Sequence, residues 1–265
     1  MIKEIIKYNK FANELANEAR KISLKYFKKK LVIKNKLKNG FDPVTYVDTK
    51  IQSHLNKIII KSYPNHSILG EEESFIKKSK FEWCIDPIDG TKSYIQGVPL
   101  WGTLISLSCN KKIILGLVDI PALDERYFGY QNVAFKISKG KKTKLRVNKT
   151  KKLSQSILNT TSPYLFKNKK DQKSFDNLRR YVKSVRLGGD CYSYCLLADG
   201  HVDIVVESGL NPWDIRALEP IINNAGGIIR TWDENDIYNG GRIIAACNHV
   251  LFNKCKKKLN KKKPS

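Results

Sequence analysis

At 265 residues the chain is long enough to bury one large core or two tightly joined halves. It has no run of about 18 apolar residues, which excludes a helical membrane span, and its amphipathic N-terminus, with acids at Glu4, Glu14 and Glu18, is not the layout of a secretory signal. The formal net charge is +24, but only nine of the 49 basic residues are arginine; a lysine bias with abundant isoleucine and asparagine is compositional drift, whereas nucleic-acid surfaces recruit arginine and aromatics together.

Apolar residues at Ile5, Ile6, Tyr8, Phe11, Leu15, Ala19 and Ile22 follow a helical period and predict an amphipathic helix over 2–27. A short strand is expected over 31–36, and Asp42-Pro43-Val44-Thr45 reads as a turn or short bridge. Asp48 then caps a second helix with Ile51, Leu55, Ile58 and Ile59 on one face. Strands over 65–69 and 81–85 precede a short helix beginning at Thr91. The segments 102–109, 113–120 and 125–130 have the lengths and turn signals of an antiparallel meander. Another strand follows over 133–138, and Lys139-Gly140-Lys141-Lys142 is expected as a turn or mobile loop.

Beyond it, strands over 156–160, 184–187, 202–207, 227–231 and 243–247 alternate with helices over 171–182, 189–199, 213–224 and 248–259. That alternation suggests sheets covered by helices; periodicity alone says mixed α/β. The lysine-rich stretch 139–152 separates an N-terminal half of about 1–145 from a C-terminal half of about 146–265. Lys256-Lys257-Lys258 and Lys261-Lys262-Lys263 are a solvated helix end, where positive charge suits the dipole. Six cysteines lack paired C-x-x-C spacing; Cys191 and Cys195, four apart on an expected helix, have no matching Cys/His pair and are packing residues. The expected setting is a reduced cytoplasm.

Chemistry concentrates at Trp83-Cys84-Ile85-Asp86-Pro87-Ile88-Asp89-Gly90-Thr91, an apolar run that stops in two carboxylates and a helix start. Carboxylates three apart on a turn can converge on a hard cation, and N–H groups at a helix start can receive phosphate. Taken alone, D-x-x-D-G-T is commonly no more than a turn. Two further acidic segments, Gly70-Glu71-Glu72-Glu73 after an apolar run and Pro212-Trp213-Asp214 at a helix start, stand at element ends in a chain short of acid. Surface decoration does not explain that placement.

The order Gly-Glu-Glu, Asp-Pro-Ile-Asp-Gly-Thr, then Trp-Asp and a helix ending in Ala225-Gly226-Gly227 resembles the inositol-monophosphatase-like family from about Asp42 to about Gly227. The segments Thr91-Lys92-Ser93-Tyr94-Ile95, 99–105, Gly188-Gly189-Asp190-Cys191-Tyr192 and Gly200-His201-Val202-Asp203 resemble its histidinol-phosphate phosphatases. The family often has Asn-Phe where this chain has Ser93-Tyr94, a departure that weakens an inositol assignment and leaves the acidic set untouched. The resemblance implies a five-layered α-β-α-β-α fold with the site between the halves, a magnesium-dependent phosphomonoesterase, and a homodimer.

Glu71, Asp86, Asp89 and Asp214 are the expected Mg²⁺ ligands; the resemblance adds the Ile88 carbonyl and places Glu72 in the outer shell. Glu73 has no assigned role. Asp86 and Asp89 could not sit together ionised without a cation. Thr91 is either an N-cap or, as the resemblance implies, the hydroxyl that orients and deprotonates the attacking water with Asp48 as its acidic partner; Asp48 too could be only a cap. Gly90 and Thr91 offer N–H groups to phosphate, and no cysteine or histidine is needed as nucleophile.

Substrate choice falls on Asp190, after Gly189 at a helix start, and on Glu207, where the family places a substrate contact. Inositol-phosphate relatives typically have a small apolar residue at the Asp190 position. An acid there suits the ammonium group of histidinol phosphate, although a helix-start acid has its own dipole rationale. Trp101 and Tyr192 could pack on an imidazole but fit core packing better; His201 is read as structural. The expected reaction is hydrolysis of L-histidinol phosphate without a covalent intermediate. Inositol monophosphate or another small sugar or nucleotide phosphate is the alternative. A nucleic-acid-associated protein on this fold is opposed by the intact acids, which would repel a phosphate backbone; no specific nucleic acid or membrane partner is expected.

Overall fold

Helix α1 (Ile2–Tyr26) buries the stripe Ile5, Tyr8, Phe11, Ala12, Leu15 and Ala19, most of the face its periodicity predicts, while Ile22 is partly buried and Ile6 is exposed. The computed structural model describes residues 2–35 and 43–260, so the expectations on Lys36, Asp42 and 261–263 lie outside the described residues. Strands β1 (Ile33–Asn35) and β2 (Pro43–Thr45) pair antiparallel ahead of α2 (Tyr46–Ser62).

The first sheet contains β3 (Ser67–Gly70), β4 (Phe81–Asp89), β5 (Gly102–Cys109), β6 (Lys112–Ile120), β7 (Glu125–Tyr130), β8 (Val133–Ser138) and β9 (Lys141–Lys144), in that order. Only β3 and β4 run parallel; the rest is the expected meander. The short helix α3 (Thr91–Gln96) lies between β4 and β5. Of the turn or mobile loop expected over 139–142, the turn holds for Lys139 and Gly140, both at positive φ in a two-residue hairpin, while Lys141 and Lys142 pair again in β9.

The second sheet has the order β11-β10-β12-β14-β13, with β10 (Ile157–Thr160) parallel to β11 (Ser184–Leu187) and β12 (Ile204–Leu210). Strands β13 (Ile228–Thr231) and β14 (Gly241–Ala246) complete it antiparallel. Its helices are α4 (Lys169–Arg179), α5 (Asp190–Ala198), α6 (Pro212–Ile215), α7 (Leu218–Asn224) and α8 (His249–Leu259). The helix expected over 213–224 is thus two pieces. Pro220 lacks the N–H that would bond the Arg216 carbonyl, and the helix restarts with proline in its first turn.

Helices α1 and α2 cover the outer face of the first sheet, α5 and α7 lie between the sheets, and α4 and α8 close the second. This is the five-layered α-β-α-β-α arrangement, with three buried clusters filling the spaces between layers. The central layer lies very close to the first sheet. A Cβ on Gly116 of β6 would fall 1.9 Å from the Ala217 carbonyl oxygen, and one on Gly129 of β7 2.3 Å from the Ile221 nitrogen, so glycine is required at both. On the opposite face, Asp119, fully buried on β6, takes the Arg20 guanidinium at 2.7 and 3.0 Å and Arg126 at 2.7 Å, tying α1 to the sheet.

Candidate active site

The site forms where β4 stops pairing regularly. Pro87 cannot donate to a ladder, and the β4–β5 register shifts between Asp86 and Asp89. The Thr103 hydroxyl holds the Pro87 carbonyl at 2.8 Å, and Asp86 Oδ1 accepts the Ile88 N–H at 3.0 Å. The bulge aims Asp86 and Asp89 at one point, and Asp214 reaches it from α6, where its side chain caps Asn211 N at 2.7 Å. Ligand oxygens of Asp86, Asp89 and Asp214 lie within 4.8 Å of one another.

Electrostatics explains why these carboxylates call for a cation. Burial raises Asp86 and Asp89 well above the ordinary carboxylate range; Glu71, Asp89 and Asp214 add repulsion on Asp86, and Asp190 and Asp214 on Asp89. Asp214 is pushed to about 7, by burial first and then by Glu71 and Glu207, against hydrogen bonds from Asn211. Among the described residues no lysine, arginine or histidine pairs with Asp86, Asp89 or Asp214. Crowded, mutually repelling, all-oxygen donors, one buried and two partly so, fit a hard divalent cation. Glu71, whose backbone N–H bonds the Ile85 carbonyl at 3.2 Å, follows β3 beside this cluster.

Thr91 and Asp48 meet beside these acids. Thr91 Oγ1 lies 3.3 Å from Asp48 Oδ1 and 3.0 Å from the Ile88 carbonyl oxygen, two acceptors for its single proton. The N-cap reading of Thr91 is corrected, and Asp48 caps its helix from the third position and not from the N-cap. Gly90, at φ +82°, is the N-cap of α3 and Thr91 its first residue; Thr45 is the N-cap of α2 and Asp48 its third. Asp48 Oδ2 takes the Thr45 N–H at 2.9 Å and the Thr45 hydroxyl at 2.5 Å, a capping box that leaves Oδ1 for Thr91. Burial raises the Asp48 carboxyl despite those bonds. Thr45 was missed as part of this unit, although Thr-x-x-Asp is its sequence signal.

Asp190 opens α5 after Gly189, at φ +44°. Its Oδ2 accepts from the Ser93 hydroxyl at 3.3 Å and lies 3.1 Å from where a Cβ on Gly90 would sit. Burial pushes it up to about 6, while Ser93 and Lys92 act the other way. The next N–H, of Cys191, donates to Asp89 at 2.6 Å, so α5 is fastened to the acidic cluster. Glu207 is buried, accepting Thr161 N–H at 2.8 Å and the Tyr194 hydroxyl at 2.9 Å, and burial raises it to about 7.

Trp101 packs in the core against Tyr94 and Phe27, and the Tyr192 hydroxyl donates to Glu125. His201 is exposed, 3.6 Å from Asp199. Glu73 accepts from Asn56 at 3.1 Å, a structural contact for a residue without an assigned role. All six cysteines are free thiols, and no described helix is long and apolar enough to cross a membrane.

Residues 6–263 match the model of the inositol monophosphatase family. The chain is 41% identical over 237 residues to the bifunctional phosphatase IMPL2, chloroplastic, of Arabidopsis thaliana, covering 86% of this chain and 65% of the plant protein, so it spans just under two thirds of that relative. It is 32% identical to a histidinol-phosphatase of Mycobacterium tuberculosis, over 84% of this chain and 86% of the relative. The fold superposes with a TM-score of 0.84 on an inositol monophosphatase from Zymomonas mobilis, 34% identical, over 95% of this chain and 97% of that one. The site geometry and these similarities agree: the chain belongs to the inositol monophosphatase family.

Proposed function

We propose that this protein is a Mg²⁺-dependent phosphomonoesterase that hydrolyses L-histidinol phosphate to L-histidinol and phosphate. The observation that carries the reaction class is the Asp86–Asp89–Asp214 cluster, Asp86 buried and the other two partly so, with no basic side chain paired to it among the described residues, beside the Thr91–Asp48 pair. The substrate assignment rests on Asp190 and on the relatives named histidinol-phosphatase.

Glu71, Asp86, Asp89, Asp214 and the Ile88 carbonyl would hold the metal, and Glu72 would support them from outside. The bound cation supplies charge that acidifies water and neutralises phosphate. Thr91 Oγ1 orients the attacking water and takes its proton as it passes its own to Asp48 Oδ1, while Thr45 keeps Asp48 in place. The N–H groups of Gly90 and Thr91 meet phosphate oxygens, and glycine at position 90 supplies the positive φ of +82° while leaving room for Asp190 and the Leu100 carbonyl beside it. Attack is in line and no enzyme side chain is acylated or phosphorylated. Gly189 and Asp190 face the remote end of the substrate, where a carboxylate favours an ammonium group, and Glu207 supports the same region. A homodimer in a reducing cytoplasm, acting on a small phosphate monoester, completes this reading.

The test is phosphate release from a panel of small phosphomonoesters, with Mg²⁺ or excess chelator, for wild type and Asp89→Asn. Activity should require Mg²⁺ and fall by orders of magnitude in the folded variant. Full activity in chelator, or near-normal turnover of Asp89→Asn, would defeat the metal mechanism.

A further inference from the structure

Asp214 comes to the cluster from α6, a helix of four residues. One turn of helix has little stability of its own, yet its carboxylate must stay within 4.8 Å of those on β4. We propose that Glu82, Arg216 and Tyr238 form a clamp that positions Asp214 against Asp86 and Asp89, so that metal affinity depends on an ion pair outside the ligand set. This inference rests on the metal-site reading above.

Three separate segments converge in the clamp. Arg216 caps the end of α6 and its side chain is 4% exposed. Its Nη1 donates to Glu82 Oε1 at 2.7 Å, and its Nε donates to the Tyr238 carbonyl at 2.7 Å. The guanidinium carbon lies 3.5 Å from the Tyr238 ring centre, and the Tyr238 hydroxyl donates to the same Glu82 oxygen at 3.0 Å. Glu82 bears both contacts from β4, the strand that carries Asp86 and Asp89.

The side-chain alternation of a strand puts Glu82, Cys84 and Asp86 on one face of β4. That face meets Arg216 at Glu82 and Asp214 at Asp86, so α6 is held at two points along one strand. The third segment braces the entry to α6. Gly240, at φ +73°, lies so close to the preceding chain that a Cβ there would be 2.2 Å from the Leu210 carbonyl oxygen and 2.9 Å from the Asn211 carbonyl carbon. Asn211 is the residue whose N–H Asp214 accepts.

Charge gives Glu82 a second task. A guanidinium two residues from a cation ligand opposes cation binding unless its charge is offset, and Glu82 offsets it. An ion pair that served only overall stability would change unfolding and leave the metal affinity of the folded protein alone. A positioning clamp changes that affinity directly; partners behind metal ligands typically matter by about 10–100-fold.

The experiment is calorimetric Mg²⁺ titration of wild type, Glu82→Gln, Tyr238→Phe, Arg216→Lys, Arg216→Met and the Glu82→Gln/Arg216→Met double variant, with melting in chelator to establish folding. Glu82→Gln and Arg216→Met should each weaken the Mg²⁺ Kd by about 10-fold. Arg216→Lys should lie between, and the double variant should be no worse than the poorer single one. Should Arg216→Met not fold, Glu82→Gln and Tyr238→Phe still decide the matter. Folded variants with the wild-type Kd would overturn the clamp. Failure of wild type itself to bind Mg²⁺ would overturn the metal reading and the clamp with it.

Discussion

Replacing Asp190 by Asn separates substrate recognition from the rest of the chemistry. The change keeps side-chain size, so it does not crowd Gly90, and it retains a polar atom for Ser93, whose hydroxyl is 3.3 Å from Asp190 Oδ2. Asn also tolerates the positive φ of +44° at this position, so the backbone is not a confounding cost. Burial raises the Asp190 carboxyl to about 6. At pH 8, above that value, it is therefore ionised and able to meet an ammonium group. A charge–ammonium contact left without its partner in such a place costs about 2–5 kcal/mol. At about 1.36 kcal/mol per factor of ten, kcat/KM for histidinol phosphate should fall by roughly 30-fold or more. Inositol monophosphate has no ammonium group and should suffer far less. The assay is phosphate release at saturating Mg²⁺ with both substrates and both proteins. Equal losses on the two substrates would show that Asp190 serves the helix start and not the substrate.

Two further outcomes concern stability. Burial raises Glu207 from an ordinary 4.5 to about 7, so the folded protein retains a proton that the unfolded chain has already released. Stability from this group is therefore lost as pH rises from about 4.5 to about 7 and stays lost above. In chelator at pH 8, Glu207→Gln should be more stable than wild type by roughly 2–4 kcal/mol in urea unfolding, a gain that vanishes near pH 4.5; no gain at pH 8 would refute it. Asp119→Asn should leave Arg20 and Arg126 without their buried counter-charge and cost about 3–5 kcal/mol. A loss below about 1 kcal/mol in the same assay would show that the pair is not a structural tie.

The acidic site was legible because its central residues are contiguous: Asp86 to Thr91 carry two of the clustered carboxylates, a bulge-forming proline, a glycine at positive φ and a hydroxyl in one string. Most elements were legible from period and turn residues, and the layers followed from the family resemblance. What escaped depends on distant partners. Arg20 and Asp119 are 99 positions apart and Arg216 and Glu82 are 134 apart, and no local pattern announces either pair. Strand β9 escaped because Lys141-Lys142-Thr143-Lys144 has no apolar alternation; lysines on an edge strand discourage further pairing. The break between α6 and α7 was written in Pro220, but the apolar period running through it favoured one continuous helix. Asp48 and Thr91, 43 positions apart, lie side by side as the resemblance implies, while their places in the caps needed the backbone.

The most direct measurement is kcat/KM of the purified protein, in Mg²⁺ and again in chelator, on L-histidinol phosphate and on inositol monophosphate. The account predicts Mg²⁺-dependent turnover with a clear preference for histidinol phosphate. Turnover that persists in chelator would contradict the metal site, and a preference for inositol monophosphate would contradict the substrate assignment.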